Sequence, residues 1–366
     1  MKLLVLSNGH GEDEIAVRII EQLQIVTNNL EIAALPIVGQ GYAYSKLNIP
    51  IAGRVQQRPS GGFIYMGGNP LWEDVRGGLI KLTIEQLKLV RQWGQENTAI
   101  LAVGDIVPLL YARLSKANYD FVGTAKSDYY LRDETDWMAQ TSWVEKKFGY
   151  VYITWERWLM SRKACKAVFP RDSLTTEILQ KCSVPAYDMG NPMMDGITAN
   201  YQLNKLEQLN VNVLLLPGSR MPDAIRNWQQ ILTSLPEIIK SFPQEKLNFG
   251  GAITPALNLQ AFIEEADIHG WQITAEQPQT ITLTKDNSSL ILSQNSYQQF
   301  LQQADIAIAM AGTATEQFVG LGKPAVIMPG AGPQFTYAFA EAQSLLLGCS
   351  IVMVENPEQA GMAIAK

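Results

Sequence analysis

The sequence alternates short, uninterrupted apolar runs with segments of helical periodicity. An apolar run of about four to eight residues between turn residues is typical of a strand buried on both faces, as in a parallel sheet. This alternation therefore predicts an α/β fold. The predicted strands of the first series are Leu3–Leu6, Ile100–Val103, Phe121–Val122 and Ala167–Phe169, and its predicted helices are 12–24, 79–93 and 172–181.

A second series of the same kind follows a polar stretch near residues 199–207, which we interpret as a linker. The chain has 366 residues, about two domains at the usual length, and 47% of them are hydrophobic, enough for two cores. We predict two α/β halves, 1–205 and 206–366. The predicted strands of the second half are Val213–Leu216, Leu247–Phe249, Leu290–Leu292, Ile306–Ala309 and Ala325–Met328.

The composition disfavours several classes of function. The chain carries 29 Lys and Arg against 35 Asp and Glu, a net charge of −6, which disfavours a nucleic-acid partner. Three cysteines without a CxxC pair, behind a start that lacks the apolar core of a secretory signal, predict reduced thiols and a cytoplasmic location. With only two histidines we expect no metal site, and no run reaches the roughly 18 apolar residues of a membrane span.

Two loops of the first half follow predicted strands and are candidates for chemistry. His10 lies between two glycines in a loop that opens a helix, where it is a general base, a partner for an oxyanion, or a capping residue. Asp105 follows another strand and is a base, a residue that orients the base, or a helix N-cap. The remaining residues of the first loop, predicted to line an acceptor site, are Asn8, Gly9, Gly11, Glu12 and Asp13.

Two loops of the second half carry features of a phosphate site. Gly218, Ser219 and Arg220 follow a strand and offer backbone, hydroxyl and guanidinium donors, or else form a turn with a surface arginine. The segment Gly312–Glu316 (Gly312, Thr313, Ala314, Thr315, Glu316) opens a helix whose N–H groups suit a diphosphate. Glu316 there either accepts hydrogen bonds from a ribose or closes a capping box with Thr313.

Together these motifs resemble the GT-B glycosyltransferases, and within them the lipid-A-disaccharide synthase family. The second half matches the family's LLPGSR at 215–220. It resembles the family's SGTA-x-x-E…P-x-V block at 312–316 with 323–326, and the segment after that block at 333–337. In the first half, 184–185 with 190–195 resemble its VP…GH-x-x-x-D element, and 103–105 with Pro108 resemble its VGIDAP strand end.

The resemblance implies two Rossmann-like domains facing a central cleft, and inverting transfer from a UDP-sugar to a lipid-linked or hydrophobic acceptor. Ser219, Arg220 and Thr313 would then meet the diphosphate and Glu316 the ribose, with Gln334 also on the donor side. Asp105 would be the base, and the UDP-sugar would be a co-substrate with no other cofactor.

The first loop departs from that family, because Ser7–Asp13 reads SNGHGED where the family has GE-x-SGD. Its Gly9-His10 is similar to the Gly-Gly-His loops of MurG and monogalactosyldiacylglycerol synthase, in which the histidine is a base candidate. His10 and Asp105 therefore both remain candidate bases. Two alternatives stay open: a non-hydrolysing UDP-N-acetylglucosamine 2-epimerase, which the two-histidine count disfavours, and a non-catalytic nucleotide-sugar or lipid-binding protein.

A helix is predicted near residue 155, and its residues make it a candidate for contact with the cytoplasmic face of a membrane. Trp155, Trp158, Leu159 and Arg162 fall at i, i+3, i+4 and i+7, and further cations flank them. Core packing with exposed cations is the alternative. Residues 63–72 form a second candidate apolar surface, and 124–149 an insertion. At the other end a helix start at 356–359 leads us to expect a further helix beyond Lys366 that crosses back to the first domain.

Overall fold

The computed structural model describes residues 2–27, 29–38, 41–53, 79–96, 98–132, 137, 143, 146, 149–197, 210–332 and 335–364. The chain divides into two compact units, Met1–Asp195 and Gly196–Lys366. The predicted boundary at 205/206 falls in a segment outside the described residues and stays a prediction. The candidate surface at 63–72 and much of the insertion at 124–149 also lie outside them.

The described residues of the first unit form a five-stranded parallel sheet in the order β2-β1-β3-β4-β5. Its strands are β1 (Lys2–Ser7), β2 (Glu31–Pro36), β3 (Thr98–Gly104), β4 (Tyr119–Gly123) and β5 (Cys165–Phe169). Its helices are α1 (His10–Val26), α2 (Tyr42–Lys46), α3 (Leu79–Gln95), α4 (Ile106–Leu114), α5 (Thr154–Met160) and α6 (Ser173–Lys181). The predicted strands and parallel sheet are confirmed.

The apolar runs are uninterrupted because helices cover both faces of this sheet. Leu4 and Leu6 of β1 pack on the side of α3, α4 and α5, whereas Leu3 and Val5 pack on the side of α1 and α2. Successive side chains of a strand point to opposite faces, so a strand covered on both sides needs apolar residues at every position.

The second unit contains an eight-stranded sheet in the order β13-β12-β11-β6-β7-β10-β9-β8 among its described residues. Its strands are β6 (Asn210–Leu216), β7 (Lys246–Ala252), β8 (Gln272–Gln277), β9 (Thr280–Lys285), β10 (Ser288–Ser293), β11 (Ile306–Ala309), β12 (Ala325–Ile327) and β13 (Ile351–Met353). Its helices are α7 (Asp223–Ser241), α8 (Leu259–Ile268), α9 (Tyr297–Gln303), α10 (Thr313–Gly320), α11 (Tyr337–Leu347) and α12 (Gln359–Ile364).

Six strands of this sheet, β13 to β10, are parallel, and they follow the Rossmann order 3-2-1-4-5-6 when numbered from β6. An antiparallel pair, β9 and β8, extends the edge beside β10. The sequence did not predict this pair, because every residue of β8 is exposed and its sequence is polar, so it lacks an apolar run.

The last described helix, α12, packs against α7 of its own unit. A Cβ on Gly361 would lie 2.6 Å from the carbonyl oxygen of Glu237, so only glycine allows this close approach. The expectation of a helix that crosses back to the first domain stays a prediction.

Candidate functional site

The four candidate loops follow the strands at which the strand order of each sheet reverses. In open α/β sheets, ligands bind at the carboxyl ends of the strands at this switch point. In the first sheet the reversal lies between β1 and β3, which lead into His10 and Asp105. In the second sheet it lies between β6 and β11, which lead into Gly218–Arg220 and Gly312–Glu316. Each sheet thus brings its two candidate loops together.

In the first unit, a hydrogen bond joins the two loops. The Asn8 Nδ2 group donates to Asp105 Oδ1 at 2.9 Å, and the Val107 N–H donates to the same oxygen at 2.8 Å. The second bond makes Asp105 the N-cap of α4, as the structural alternative predicted. Gly104 has φ +132°, and a Cβ there would lie 3.3 Å from Glu12 Cγ, so the two loops are in close contact.

Burial raises the pKa of the Asp105 carboxyl above its ordinary value. The hydrogen bonds from Val107 and Asn8 oppose this effect, and nearby Glu156 and Lys126 act in opposite directions. Those two residues form a largely buried ion pair, with Lys126 Nζ 2.6 Å from Glu156 Oε2. A carboxylate with a raised pKa is a stronger proton acceptor, which suits Asp105 to general-base chemistry.

Asp13 lies beneath the first loop in a buried hydrogen-bond chain. Tyr44 OH donates to Ser7 Oγ at 2.6 Å, and Ser7 Oγ donates to Asp13 Oδ1 at 2.5 Å. Asp13 is 3% exposed, and this burial raises its pKa to about 7. The prediction that Asp13 lines an acceptor site is therefore wrong, because its side chain is enclosed below the loop. No local pattern in the sequence marks Ser7 and Tyr44 as its partners.

His10 begins α1, directly after Gly9 at the N-cap. It therefore lies in the first helical turn rather than in an extended loop. Its side chain is outside the described residues, and its role as a base stays a prediction. Gly11 and Glu12 follow in the same turn and are half-buried.

In the second unit, close backbone contact joins the two candidate loops. Gly218 has φ +95°, and a Cβ there would lie 3.2 Å from the Met310 carbonyl oxygen. The buried Asn227 Nδ2 group donates to the Pro217 carbonyl at 3.0 Å and to the Met310 carbonyl at 3.5 Å. One amide therefore ties both loops together. The sequence carries one sign of this link, a single asparagine on the apolar face of α7, and Asn227 was not among the predicted residues.

The segment Gly312–Glu316 begins α10, with Gly312 at the N-cap. The predicted capping box is wrong, since no side chain caps this helix. Thr315 is buried and its hydroxyl donates to the Ala311 carbonyl, so its predicted contact with a donor is also wrong. Thr313 is exposed, Ala314 and Glu316 are half-buried, and across the other loop Ser219 is exposed and Arg220 half-buried. The predicted donor residue Gln334 lies outside the described residues.

A second missed residue, Gln343 of α11, supports the start of α10. Its buried side chain donates to the carbonyls of Ala311 and Gly312, at 3.3 and 3.0 Å. Those carbonyls precede the helix, so the hydrogen bonds fix the direction from which the first N–H groups of α10 emerge. No local motif marks Gln343, because its partners are more than 30 residues away.

The predicted membrane helix is α5, and the structure corrects one of its residues. Trp155 and Trp158 are 47% and 48% exposed, and Ile153 beside them is 43% exposed. Leu159, by contrast, is buried in the core, and its carbonyl accepts a hydrogen bond from Tyr119. The Arg162 guanidinium lies 4.4 Å from the centre of the Trp158 ring. We call Ile153, Trp155, Trp158 and Arg162 the α5 patch.

The described residues contain neither a candidate metal site nor a candidate membrane span. Across the described ranges, no three His, Cys, Asp or Glu side chains are grouped so that they could hold a metal ion. The helices of the described part of the chain are each too short or too polar to span a bilayer.

Known structures share this fold. Acinetobacter baumannii MurG superposes with a TM-score of 0.53 at 14% identity, covering 99% of this chain and 89% of MurG. The Neisseria meningitidis UDP-GlcNAc 2-epimerase bound to UDP-GlcNAc gives 0.55 at 14% identity, over 100% and 90% of the two chains. The fold is GT-B. Phytolacca americana UGT2, in complex with UDP-2fluoro-glucose and pterostilbene, gives 0.54 at 10% identity, over 100% and 89%.

Sequence comparison adds no closer relationship, since the chain matches no profile of a known protein family and no curated protein. At 10–14% identity the three structures establish the GT-B fold of this chain and leave the assignment of its function to the site residues.

We predict that Asp13 makes the stability of the protein depend on pH. Its pKa rises from 3.8 to about 7 on folding, so between these values the native state holds a proton that the unfolded chain has released. The free energy of unfolding should therefore fall as pH rises from about 4 to 7, by at most about 1.4 kcal/mol per pH unit. Asp13→Asn, whose amide oxygen still accepts from Ser7, should lack this component.

Urea unfolding of both chains at pH 4, 5, 6 and 7 measures the effect. The difference in unfolding free energy between the two chains should change steadily in favour of Asp13→Asn as pH rises. A difference that stays constant with pH would contradict the prediction, and Asp188→Asn, at an exposed position in the same unit, provides the control.

Proposed function

We propose that this protein is an inverting glycosyltransferase that transfers a sugar from a UDP-sugar to a lipid-linked or otherwise hydrophobic acceptor, as in the lipid-A-disaccharide synthase family. The observation that carries the proposal is the contact between Gly218 and Met310. This contact places the Pro-Gly-Ser-Arg loop beside the start of α10 at the switch point of the second sheet. Two donor-rich loops there suit a nucleoside diphosphate.

The donor side of the reaction falls to the second unit. Ser219 and Arg220 supply a hydroxyl and a guanidinium, and α10 supplies N–H groups and the positive end of its dipole. These groups would stabilise the negative charge that develops on UDP as it leaves. Glu316 lies one turn into α10, where its carboxylate would accept hydrogen bonds from the two ribose hydroxyls. The UDP ligands of the epimerase and UGT2 structures support a UDP-linked donor.

The acceptor side falls to the first unit, where Asp105 and His10 follow neighbouring strands. Attack on the anomeric carbon requires the acceptor hydroxyl to lose a proton, and a carboxylate with a raised pKa is suited to accept it. Asn8 would orient Asp105 through its hydrogen bond to Oδ1. His10 starts α1 and is the second candidate for the same role.

The α5 patch supports a peripheral position on the cytoplasmic face of a membrane. Two half-exposed tryptophans beside an arginine are the residues that bind at the headgroup level of a bilayer. Exposed Lys163 and Lys166 add local positive charge to a chain whose net charge is −6. The proposal therefore places the protein where a lipid-linked acceptor is found.

We expect Arg220→Ala and Glu316→Ala each to weaken UDP binding about tenfold or more, because each removes a charge-assisted contact worth about 1.5–3 kcal/mol. Isothermal titration of UDP into the full chain measures the effect. Arg226→Ala is the matched control, since this arginine lies in the same unit, is 51% exposed and pairs with Asp223. Unchanged affinity in both Arg220→Ala and Glu316→Ala would refute the donor site.

Asp105→Asn should reduce the rate of sugar transfer about a hundredfold or more, while UDP affinity stays within twofold of the wild type. Asparagine keeps the N-cap, so the fold of α4 is retained. A mass-spectrometric screen of UDP-sugars with a membrane lipid extract detects the glycosylated product. If Asp105→Asn retains transfer and His10→Ala loses it, the base is His10.

The same screen without acceptor separates the two alternatives. Conversion of UDP-GlcNAc to UDP-ManNAc in the absence of lipid would identify an epimerase. UDP binding without turnover of any donor would identify a non-catalytic binding protein.

For the membrane, we expect Trp155→Ala combined with Trp158→Ala to reduce binding to vesicles of phosphatidylcholine with phosphatidylglycerol at least fivefold, since both rings leave the bilayer surface. Co-sedimentation measures the bound fraction. The matched control is Ile268→Ala with Tyr337→Ala, two exposed apolar residues of the second unit. Equal binding by the two double variants would show that the α5 patch makes no membrane contact.

A further inference from the structure

The first unit contains a pocket of about 250 Å³ between α1, the sheet and the segment at 189–193. Its walls are apolar: Ile15 and Ile19 of α1, Leu101 of β3, Val122 of β4, Phe169 of β5 and Met193. At about 30 Å³ for each water-sized group, the space suits roughly eight methylene groups. We call it the α1 pocket.

The position of the α1 pocket relates it to the candidate base. Ile15 lies five residues after His10 on α1, a distance of about 7.5 Å along the helix axis. β4 pairs with β3, whose carboxyl end leads into Asp105. The pocket also reaches Gly123 and Thr124, at the carboxyl end of β4. A molecule in the pocket would therefore extend to the edge of the sheet that carries both candidate bases.

The charged group of the pocket lies at this edge, whereas the polar lining residue Asn191 accepts a hydrogen bond from the Met193 N–H through its Oδ1 at 3.0 Å. Arg171, two residues after β5, is the one cation among the lining residues, and its guanidinium donates to the Thr124 carbonyl at 3.0 Å. It also donates to Tyr130 OH at 3.3 Å, which fixes its position. A positive charge at the end of an apolar pocket matches the anionic headgroup of an amphiphile.

The walls argue against a sugar ring as the occupant. A sugar carries a hydroxyl on most carbons, and each would need a partner when buried. Ile15, Ile19, Leu101, Val122 and Phe169 offer none. An alkyl chain loses water without losing hydrogen bonds, and gains about 0.8 kcal/mol for each methylene buried.

We propose that the α1 pocket binds the alkyl chain of an anionic single-chain amphiphile, with the anionic group held beside Arg171. This inference rests on the proposed function, in which it assigns the apolar part of the acceptor to a specific place. The exposed Met189 at the rim, 75% accessible, suits variable chains because methionine side chains adapt their shape.

Titration of the full chain with decyl phosphate, below its micelle concentration, tests the pocket without any sugar transfer. Saturable one-to-one binding is expected, and decanol should bind at least tenfold more weakly. Ile19→Phe should weaken decyl phosphate binding tenfold or more by filling the pocket. The matched control is Ile84→Phe, on α3 of the same unit, where the side chain is 48% exposed. Equal binding by Ile19→Phe and Ile84→Phe would overturn the proposal.

Two further variants distinguish a filled pocket from a misfolded chain and test whether Arg171 contacts the headgroup. Ile19→Ala enlarges the pocket and should shift the preferred chain from decyl towards dodecyl phosphate. Arg171→Gln should weaken decyl phosphate about tenfold and leave decanol within twofold, whereas equal loss for both ligands would overturn the role of Arg171. An unchanged chain-length preference in Ile19→Ala would likewise overturn the assignment of the pocket.

Titration of UDP separates this proposal from the proposed function. Every pocket variant should bind UDP as the wild type does, since the donor residues belong to the other unit. If the full chain binds decyl phosphate but does not bind UDP, the proposed transferase is refuted and the proposed α1 pocket is not. Intact UDP binding with no saturable decyl phosphate binding would refute the α1 pocket alone.

Discussion

Contact between two strand-end loops, which only a glycine permits, is the constraint on which the candidate donor site depends. Gly218 has a positive φ, a conformation that strains any other residue, and it lies against the Met310 carbonyl, where a Cβ would be 3.2 Å from the oxygen. Asn227 then satisfies the Pro217 and Met310 carbonyls that this approach leaves inside the unit. Backbone donors from β6 and α10 consequently point to one region without a large side chain between them. The first unit uses the same device, with Gly104 between Asn8 and Glu12.

Burial rather than ion pairing governs the electrostatics of the first unit. Asp13, Asp105 and Asp128 all have a raised pKa, and in each case desolvation is the main cause. Such carboxyls cost stability when ionised, so a fold retains them where they serve another purpose. For Asp105 that purpose is chemical in our proposal, whereas Asp13 fixes the backbone beneath the first loop through Ser7 and Tyr44.

The sequence predicted most of the central strands and all four candidate loops, because buried parallel strands are continuous apolar runs and glycine-rich turns follow them. It could not predict which loops meet, since that depends on strand order, a property of pairings between distant segments. Asn227 and Gln343 were missed for the same reason: their partners lie tens of residues away. Leu159 was assigned to the exposed surface for a different reason. It has the same helical spacing as Trp155 and Trp158, and only the packing of α5 against the core distinguishes this buried residue from the two exposed ones.

Helix α1 combines three tasks that are usually distributed among separate elements. It begins at His10, forms one wall of the α1 pocket, and carries Arg18, whose guanidinium donates to the carbonyls of Pro192, Met193 and Asp195. Those carbonyls belong to the last residues of the first unit, of which Pro192 and Met193 also line the pocket. The end of the first unit is thus held by hydrogen bonds against the helix that begins at His10. One helix therefore connects the proposed site for the alkyl chain with a candidate base.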